Sequence, residues 1–356
     1  MRIGVAGVGR IGTMHATHLA SLERVEQVLL FDPVPGRAEL AADVLGGEGG
    51  AGGRASGADR DGLVCAVPDV DALLRDADGL LVATPTTTHP ELVRRCLAAG
   101  VPVLCEKPIA SDLTEMAALV EEVERSGVPV LVGFQRRFDP PMVELHRRIA
   151  EGALGTIYQV HAVGFDAQPP DLAYLPTSGG IFRDLLIHDL DAVPWLVGEP
   201  VTEVYASGSV LVDPAFADAD DVDNAVVLLR FAGGAHAVLA AGRHDPLGYD
   251  HRIEVLGEKD SVSVGLGPRT PLRSLEPDGP PVSAPAYPGF PERFGRAYLN
   301  EMRVFTDIVA AGTGVEDEVV NPSPARDSLV SLRLAEACER SRRSGAPVRV
   351  DVGGQT

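Results

Sequence analysis

Over the first third of the chain, short apolar runs alternate with segments of helical spacing. The runs at 3–6, 28–31, 80–83, 103–105 and 130–134 are continuously apolar, the pattern of strands covered by helices on both faces. Residues 90–99 and 113–126 carry helical spacing, and Asp112 with Glu115 forms an N-terminal capping pair. This order predicts a doubly wound α/β domain of the Rossmann type over residues 1–134. After Phe134 the pattern changes. A helix at 141–150 leads into runs at 157–165, 201–210, 225–231, 235–241 and 253–256 that lack regular helical partners. They predict a second, α+β domain over residues 135–356, built on an open, mostly antiparallel sheet. Helical patterns at 293–311 and 324–344 and a short strand at 348–352 close the chain.

The length of 356 residues suits two domains, and 45% hydrophobic with 23% charged residues is an ordinary globular balance. The glycine-dense stretch 46–62 lacks a strand-turn-helix context and reads as a surface insertion. A net charge of −20 repels nucleic-acid backbones and anionic membrane surfaces. No apolar run reaches the roughly 18 residues of a membrane span. Cys65, Cys96, Cys105 and Cys338 lack metal-ligand spacing. With a first strand that starts at once and shows no leader pattern, these features lead us to expect a cytoplasmic protein with neither a nucleic-acid nor a membrane partner.

Gly7-Val8-Gly9-Arg10-Ile11-Gly12 directly follows the first strand and opens a helix. In that context the first glycine permits the tight turn, the second lets backbone N–H groups approach a pyrophosphate, and the third allows close strand-helix packing. The helix N-terminus stabilises phosphate charge. Asp32 ends the second strand 20 residues beyond Gly12, where an acid accepts hydrogen bonds from an adenosine ribose and repels the 2′-phosphate of NADP. NAD is the expected cofactor, and nearby Arg37 leaves NADP open.

Cys105-Glu106-Lys107-Pro108 follows the strand at 103–105. Ligands of open α/β sheets bind at the carboxyl ends of the strands, so Lys107 is a candidate for the cofactor crevice. Farther on, Asp184 and His188 lie four apart in an apolar helical pattern. On a single helix that spacing places both on one face. Histidine has the near-neutral pKa that suits removal of a hydroxyl proton, and a neighbouring carboxylate orients it. Asp189 and Asp191 point elsewhere and suit caps, ion pairs or an interface. Asp166 and Arg183 are further polar candidates for substrate contact, with surface ion pairing as the alternative. His15 and His18 read as packing or capping residues. His244, Asp245, Asp250 and His251 read as a polar loop, so no metal is expected.

Taken together, Gly7 to Gly12, Ala83-Thr84-Pro85-Thr86-Thr87-Thr88-His89, Glu106-Lys107-Pro108, Gly133-Phe134-Gln135-Arg136-Arg137-Phe138-Asp139 and the segment from Gly179 to Asp191 resemble the glucose-fructose oxidoreductase, inositol dehydrogenase and rhizopine catabolism family. The resemblance implies a catalytic set of Lys107, Asp184 and His188, with Thr84, Pro85, His89, Glu106 and Gln135 lining the cofactor. It also implies that Tyr249, in Gly248-Tyr249-Asp250, binds substrate, as do Lys107 and the Asp184–His188 pair. The implied reaction is NAD-dependent oxidation of a secondary hydroxyl of a cyclic polyol, myo-inositol to 2-keto-myo-inositol. The alternatives are another sugar or sugar derivative as substrate, or a non-catalytic NAD-binding sensor or scaffold. An open sheet exposes a broad face, and the resemblance implies a homotetramer or dimer.

Overall fold

A computed structural model describes residues 1–47, 62–279, 284–312 and 320–350. The chain forms two compact units, one of Met1–Phe138 with Arg296–Leu329, the other of Asp139–Gly295 with Val330–Thr356, each over its described residues. Beyond the single boundary expected after residue 134, the first unit thus includes a later stretch of chain. Of the glycine-dense stretch 46–62, residues 48–61 lie outside the described residues.

The strands of the first unit are β1 (Arg2–Ala6), β2 (Gln27–Phe31), β3 (Val64–Ala66), β4 (Gly79–Val82), β5 (Val103–Glu106) and β6 (Val130–Gly133). They form one sheet in the order β3-β2-β1-β4-β5-β6 with every pair parallel, the doubly wound order expected. The apolar runs are continuous because helices cover both faces. Ile3, Val5, Leu30, Leu81, Leu104 and Leu131 are almost wholly buried, packed with Ala16 and Leu19 of the helix Arg10–Ser21. Met302, Phe305, Ile308 and Val309 of the helix Phe290–Ala311 belong to the same core. Asp112 caps the helix Leu113–Ser126 by accepting from the backbone N–H groups of Thr114 and Glu115 at 2.9 and 3.0 Å.

The second unit contains β7 (Ile157–Phe165), β8 (Val201–Ser209), β9 (Asn224–Phe231), β10 (His236–Gly242), β11 (Asp250–Gly257), β12 (Ser261–Val264) and β13 (Val348–Arg349). Their order is β12-β11-β7-β10-β9-β8-β13. β7 and β10 run parallel; the other pairs are antiparallel. Residues alternate strictly along β9, with Ala225, Val227, Leu229 and Phe231 buried and Val226 and Leu228 exposed. The inward face packs on Leu190, Val193 and Leu196 of the helix Ile187–Val197. On the other face Tyr205, Leu228 and Val238 sit side by side on β8, β9 and β10, and all three are exposed.

The parallel pairing of β7 with β10 positions the polar residues that follow. Phe165 stands opposite Gly242, so both chains leave the sheet at the same end, the first into Asp166 and the second into Arg243. A side chain at 242 would meet the Phe165 ring, the added Cβ lying 2.5 Å from Cδ1. Antiparallel β11 begins at that end, with Asp250 opposite Phe165, and Tyr249 precedes it. Among the described residues, no helix is long and apolar enough to cross a membrane.

Candidate active site

In the first unit the expected cofactor residues gather at the carboxyl ends of β1, β2, β4, β5 and β6. Gly7 has φ +91°, and a Cβ there would lie 2.7 Å from the Ala83 carbonyl oxygen. At Gly12 a Cβ would lie 1.9 Å from the Gly7 carbonyl oxygen, whereas at Gly9 it would meet nothing within 4 Å. Two glycines are therefore required by packing, and the third leaves its backbone open. Gly9 caps the helix Arg10–Ser21 with no side-chain acceptor, so the N–H groups of Arg10 and Ile11 open the helix without competition from a capping side chain. Such a cradle fits a dinucleotide pyrophosphate.

Asp32 follows β2 and accepts from the backbone N–H of Val8 at 3.0 Å and of Val34 at 2.9 Å. Its side chain is 4% exposed, with Arg37 Nη1 at 3.3 Å. The acid thus sits on the glycine loop with a half-exposed arginine above it. Thr84 and Pro85 follow β4, with the Thr88 hydroxyl donating to that of Thr84 at 2.6 Å. His89 is buried, its ring nitrogens 2.7 Å from the Thr84 carbonyl and 2.9 Å from that of Pro108. It ties the loops after β4 and β5 together, and burial pushes its pKa below the ordinary range against the pull of those carbonyls. Gln135 is buried in a turn after β6.

Glu106 ends β5 and Lys107 follows it, half-buried. Glu106 Oε1 lies 2.7 Å from His15 Nε2, an interaction that spacing along the sequence did not suggest. The fully buried His15 ring also meets Tyr298 edge to face at 5.6 Å between centroids. Glu301, one helical turn beyond Tyr298, is fully buried too, and neither carboxylate oxygen has a hydrogen-bond partner among the described residues. Burial pushes its carboxyl well above the ordinary range, and the charge of Glu106 adds to the effect. Burial accordingly favours the neutral form of Glu301. His18, the other histidine of that helix, has its pKa lowered to about 4 by burial and by His15.

In the second unit, Gly179 and Gly180 have φ of +82° and +85°, a turn that side chains resist. It delivers the short helix Ile181–Asp184, whose Ile181 N–H donates to Asp221 Oδ1 at 2.9 Å. Asp184 and His188 do not share one continuous helix as the spacing implied. The backbone N–H groups of Leu185 and Leu186 both bond the Ile181 carbonyl, at 3.1 and 2.8 Å. That shared acceptor closes the turn, and the next helix, Ile187–Val197, starts afresh.

Asp184 is held at both oxygens. The Tyr174 hydroxyl donates to Oδ1 at 3.0 Å, and Arg243 Nη2 donates to Oδ2 at 2.8 Å. Arg243 Nη1 also donates to Asp166 Oδ2 at 3.3 Å. Asp166 and Asp184 thus come together on Arg243, which the sequence reading missed. Arg183 instead pairs with Glu336. His188 is half-buried with Nδ1 hidden. Asp189 faces His251 at 3.7 Å, and Asp191 accepts from Ser331 at 3.4 Å, so both serve within the unit. Tyr249 is buried, edge-on to Phe294 at 6.3 Å. It lines a cavity of about 210 Å³ with Asp250, His251, Arg269, Tyr287 and Arg293.

Strand order, glycine cradle and acid define the first unit as a dinucleotide-binding domain of an oxidoreductase. Residues 1–134 match the model of the oxidoreductase family with an NAD-binding Rossmann fold, and residues 142–263 match that of the GFO/IDH/MocA C-terminal domain. The chain belongs to the GFO/IDH/MocA family of NAD-dependent oxidoreductases. It is 38% identical to the myo-inositol dehydrogenase Hyg17 of Streptomyces leeuwenhoekii, across 97% of this chain and 98% of that one. It is 35% identical to the myo-inositol 2-dehydrogenase of Thermotoga maritima, across 99% of both. The crystal structure of a myo-inositol dehydrogenase from Corynebacterium glutamicum superposes with a TM-score of 0.83 at 31% identity, covering 99% of each chain.

Gly12→Ala places its Cβ against the Gly7 carbonyl and should weaken NAD binding by about 10²-fold, because an ångström-scale shift at a positioned group has effects of that order; a titration of NAD fluorescence quenching with wild-type affinity would refute this. Glu301 binds a proton in the folded chain that the unfolded chain releases above its ordinary value of 4.5. Stability therefore falls as pH rises from 4.5 towards the raised folded value. Glu301→Gln should remove that slope and be the more stable protein at about pH 8 but not at about pH 4. Parallel pH dependence of the two proteins in denaturant melts would show Glu301 to be charged inside the fold.

Proposed function

We propose that this oxidoreductase oxidises a secondary hydroxyl of a cyclic polyol, myo-inositol to 2-keto-myo-inositol, with NAD as acceptor. The observation that carries the reading is end-to-end similarity to two myo-inositol dehydrogenases, joined to the presence of Lys107, Asp184 and His188, the set that the family resemblance implies. The unit of Met1–Phe138 with Arg296–Leu329 serves as the dinucleotide-binding domain, and that of Asp139–Gly295 with the chain from Val330 onward as the substrate-binding and oligomerisation domain.

When bound, NAD supplies the acceptor for the carbon-bound hydrogen, which departs with its electron pair. The glycine loop holds the pyrophosphate, Asp32 the adenosine ribose, and the segments around Thr84, Pro85, Glu106 and Gln135 the nicotinamide half. Lys107 donates to the reacting hydroxyl oxygen and stabilises the negative charge that develops there. His188 takes the hydroxyl proton; with Nδ1 hidden, Nε2 is its accepting atom. Asp184, fixed by Tyr174 and Arg243, orients the imidazole and stabilises its protonated form. Asp166 and Tyr249 are the further polyol contacts. Arg183, paired with Glu336, is the weakest of the substrate candidates.

The exposed row of Tyr205, Leu228 and Val238 is an apolar stripe that a second copy of the chain would cover, which supports a homo-oligomer, dimer or tetramer. Four free thiols suit the reducing cytoplasm.

With NAD, myo-inositol should give the highest rate of NADH formation among inositol isomers and common sugars, with NADP much slower. Turnover of sugars alone would move the substrate, and no turnover with any of them would favour a cofactor-binding sensor. His188→Ala should lower kcat by about 10²–10⁴-fold and leave NAD affinity intact; wild-type turnover in that variant removes His188 from the mechanism. Leu228→Glu should yield a smaller species in light scattering coupled to size exclusion, and an unchanged mass would rule this face out.

A further inference from the structure

Arg243 has a place in the fold that neither sequence spacing nor the catalytic assignment anticipates. It leaves β10 beside the exit of β7, because those two strands are parallel neighbours with Gly242 opposite Phe165. Its side chain is 3% exposed, and its backbone N–H bonds the Asp223 carbonyl at 2.8 Å. From that fixed root the guanidinium reaches Asp184 Oδ2 at 2.8 Å and Asp166 Oδ2 at 3.3 Å. Asp221 adds a third carboxylate to its field. Burial opposes the positive charge, but Asp184 and Asp166 outweigh it and hold Arg243 above its ordinary range.

A planar fork can engage two carboxylates at once with fixed angles, which a lysine ammonium cannot reproduce. Without the cation, Asp166 and Asp184 would face each other as like charges and turn apart or take up a proton. With it, and with Tyr174 on Oδ1, Asp184 is held at both oxygens in one orientation. We propose that Arg243 is a positioning residue for the oxidation: it fixes the Asp184 carboxylate that orients His188 and joins to it Asp166, so that the hydroxyls of a polyol meet a preset pair of acceptors. The inference rests on the catalytic reading of Asp184 and His188 given above.

The test is a double-mutant cycle with myo-inositol and NAD, comparing Arg243→Met, Asp184→Asn and the combination, with Arg243→Lys alongside. Arg243→Met should lower kcat by about 10²-fold while the affinity for NAD changes by less than about twofold. Arg243→Lys, which keeps the charge and loses the fork, should recover part of the loss. The double variant should be no slower than the slower single variant, because both substitutions disable one unit. Losses that multiply in the double variant, or a wild-type kcat in Arg243→Met, would overturn the proposal. If Arg243→Met does not fold, Arg243→Lys decides, and wild-type kcat in it removes the argument from the fork. Wild-type turnover by Asp184→Asn is a separate failure: it sinks the catalytic reading of Asp184 and this inference with it.

Discussion

At the start of the chain, two stretches of backbone come so close that no side chain fits between them. The Gly7 carbonyl lies where a Cβ on residue 12 would stand, and that contact fixes the angle at which the helix Arg10–Ser21 leaves β1. The helix then lays His15, Ala16 and Leu19 against the sheet, and its first N–H groups open beside Asp32. Chemistry at the neighbouring strand ends inherits this geometry. His15 reaches Glu106 only because its helix lies so close to β1, and Glu106 immediately precedes Lys107. A single backbone approach thus links the nucleotide cradle to Glu106 and the strand end that carries Lys107.

Much of this architecture is visible in the sequence, and the omissions have physical causes. β1, β2, β4, β5 and β6 are interior or well covered, so they appear as unbroken apolar runs. β3 is a three-residue edge strand, partly exposed, and too short to stand out after a glycine-dense stretch. β12 is another edge strand, Ser-Val-Ser-Val, whose brief alternation is lost among polar neighbours. The helix containing Asp184 was expected to continue through His188, yet a shared carbonyl acceptor at Ile181 interrupts it. Periodicity records which face is apolar and carries no information about such a hydrogen-bond choice.

The candidate site divides in the same way. The glycine loop and Asp32 are local in sequence, and so were readable from spacing. Lys107 was readable because strand ends bind ligands. Arg243 lies 59 and 77 residues from its two carboxylates, and only the parallel register of β7 with β10 brings them together. Glu301 is an acid on a late helix with no motif around it, and its burial is apparent only from the packing. His89, expected at the cofactor, also has both its nitrogens on backbone carbonyls, a bracing task that no motif announces.

The return of a late stretch of chain to the first unit bears on how the protein is made. Gly79, on central strand β4, leaves room for Val309: a Cβ there would lie 2.5 Å from its Cγ2. Phe305 and Ile308 fill the same core. A ribosome that has released the first 138 residues has therefore emitted every strand of the first sheet but not the helix that seals one of its faces. Until about 170 more residues emerge, as the distance from Phe138 to Val309 dictates, the nascent nucleotide domain has an uncovered apolar surface. Domains usually fold in order of synthesis; here the first to start waits for sequence that follows most of the second.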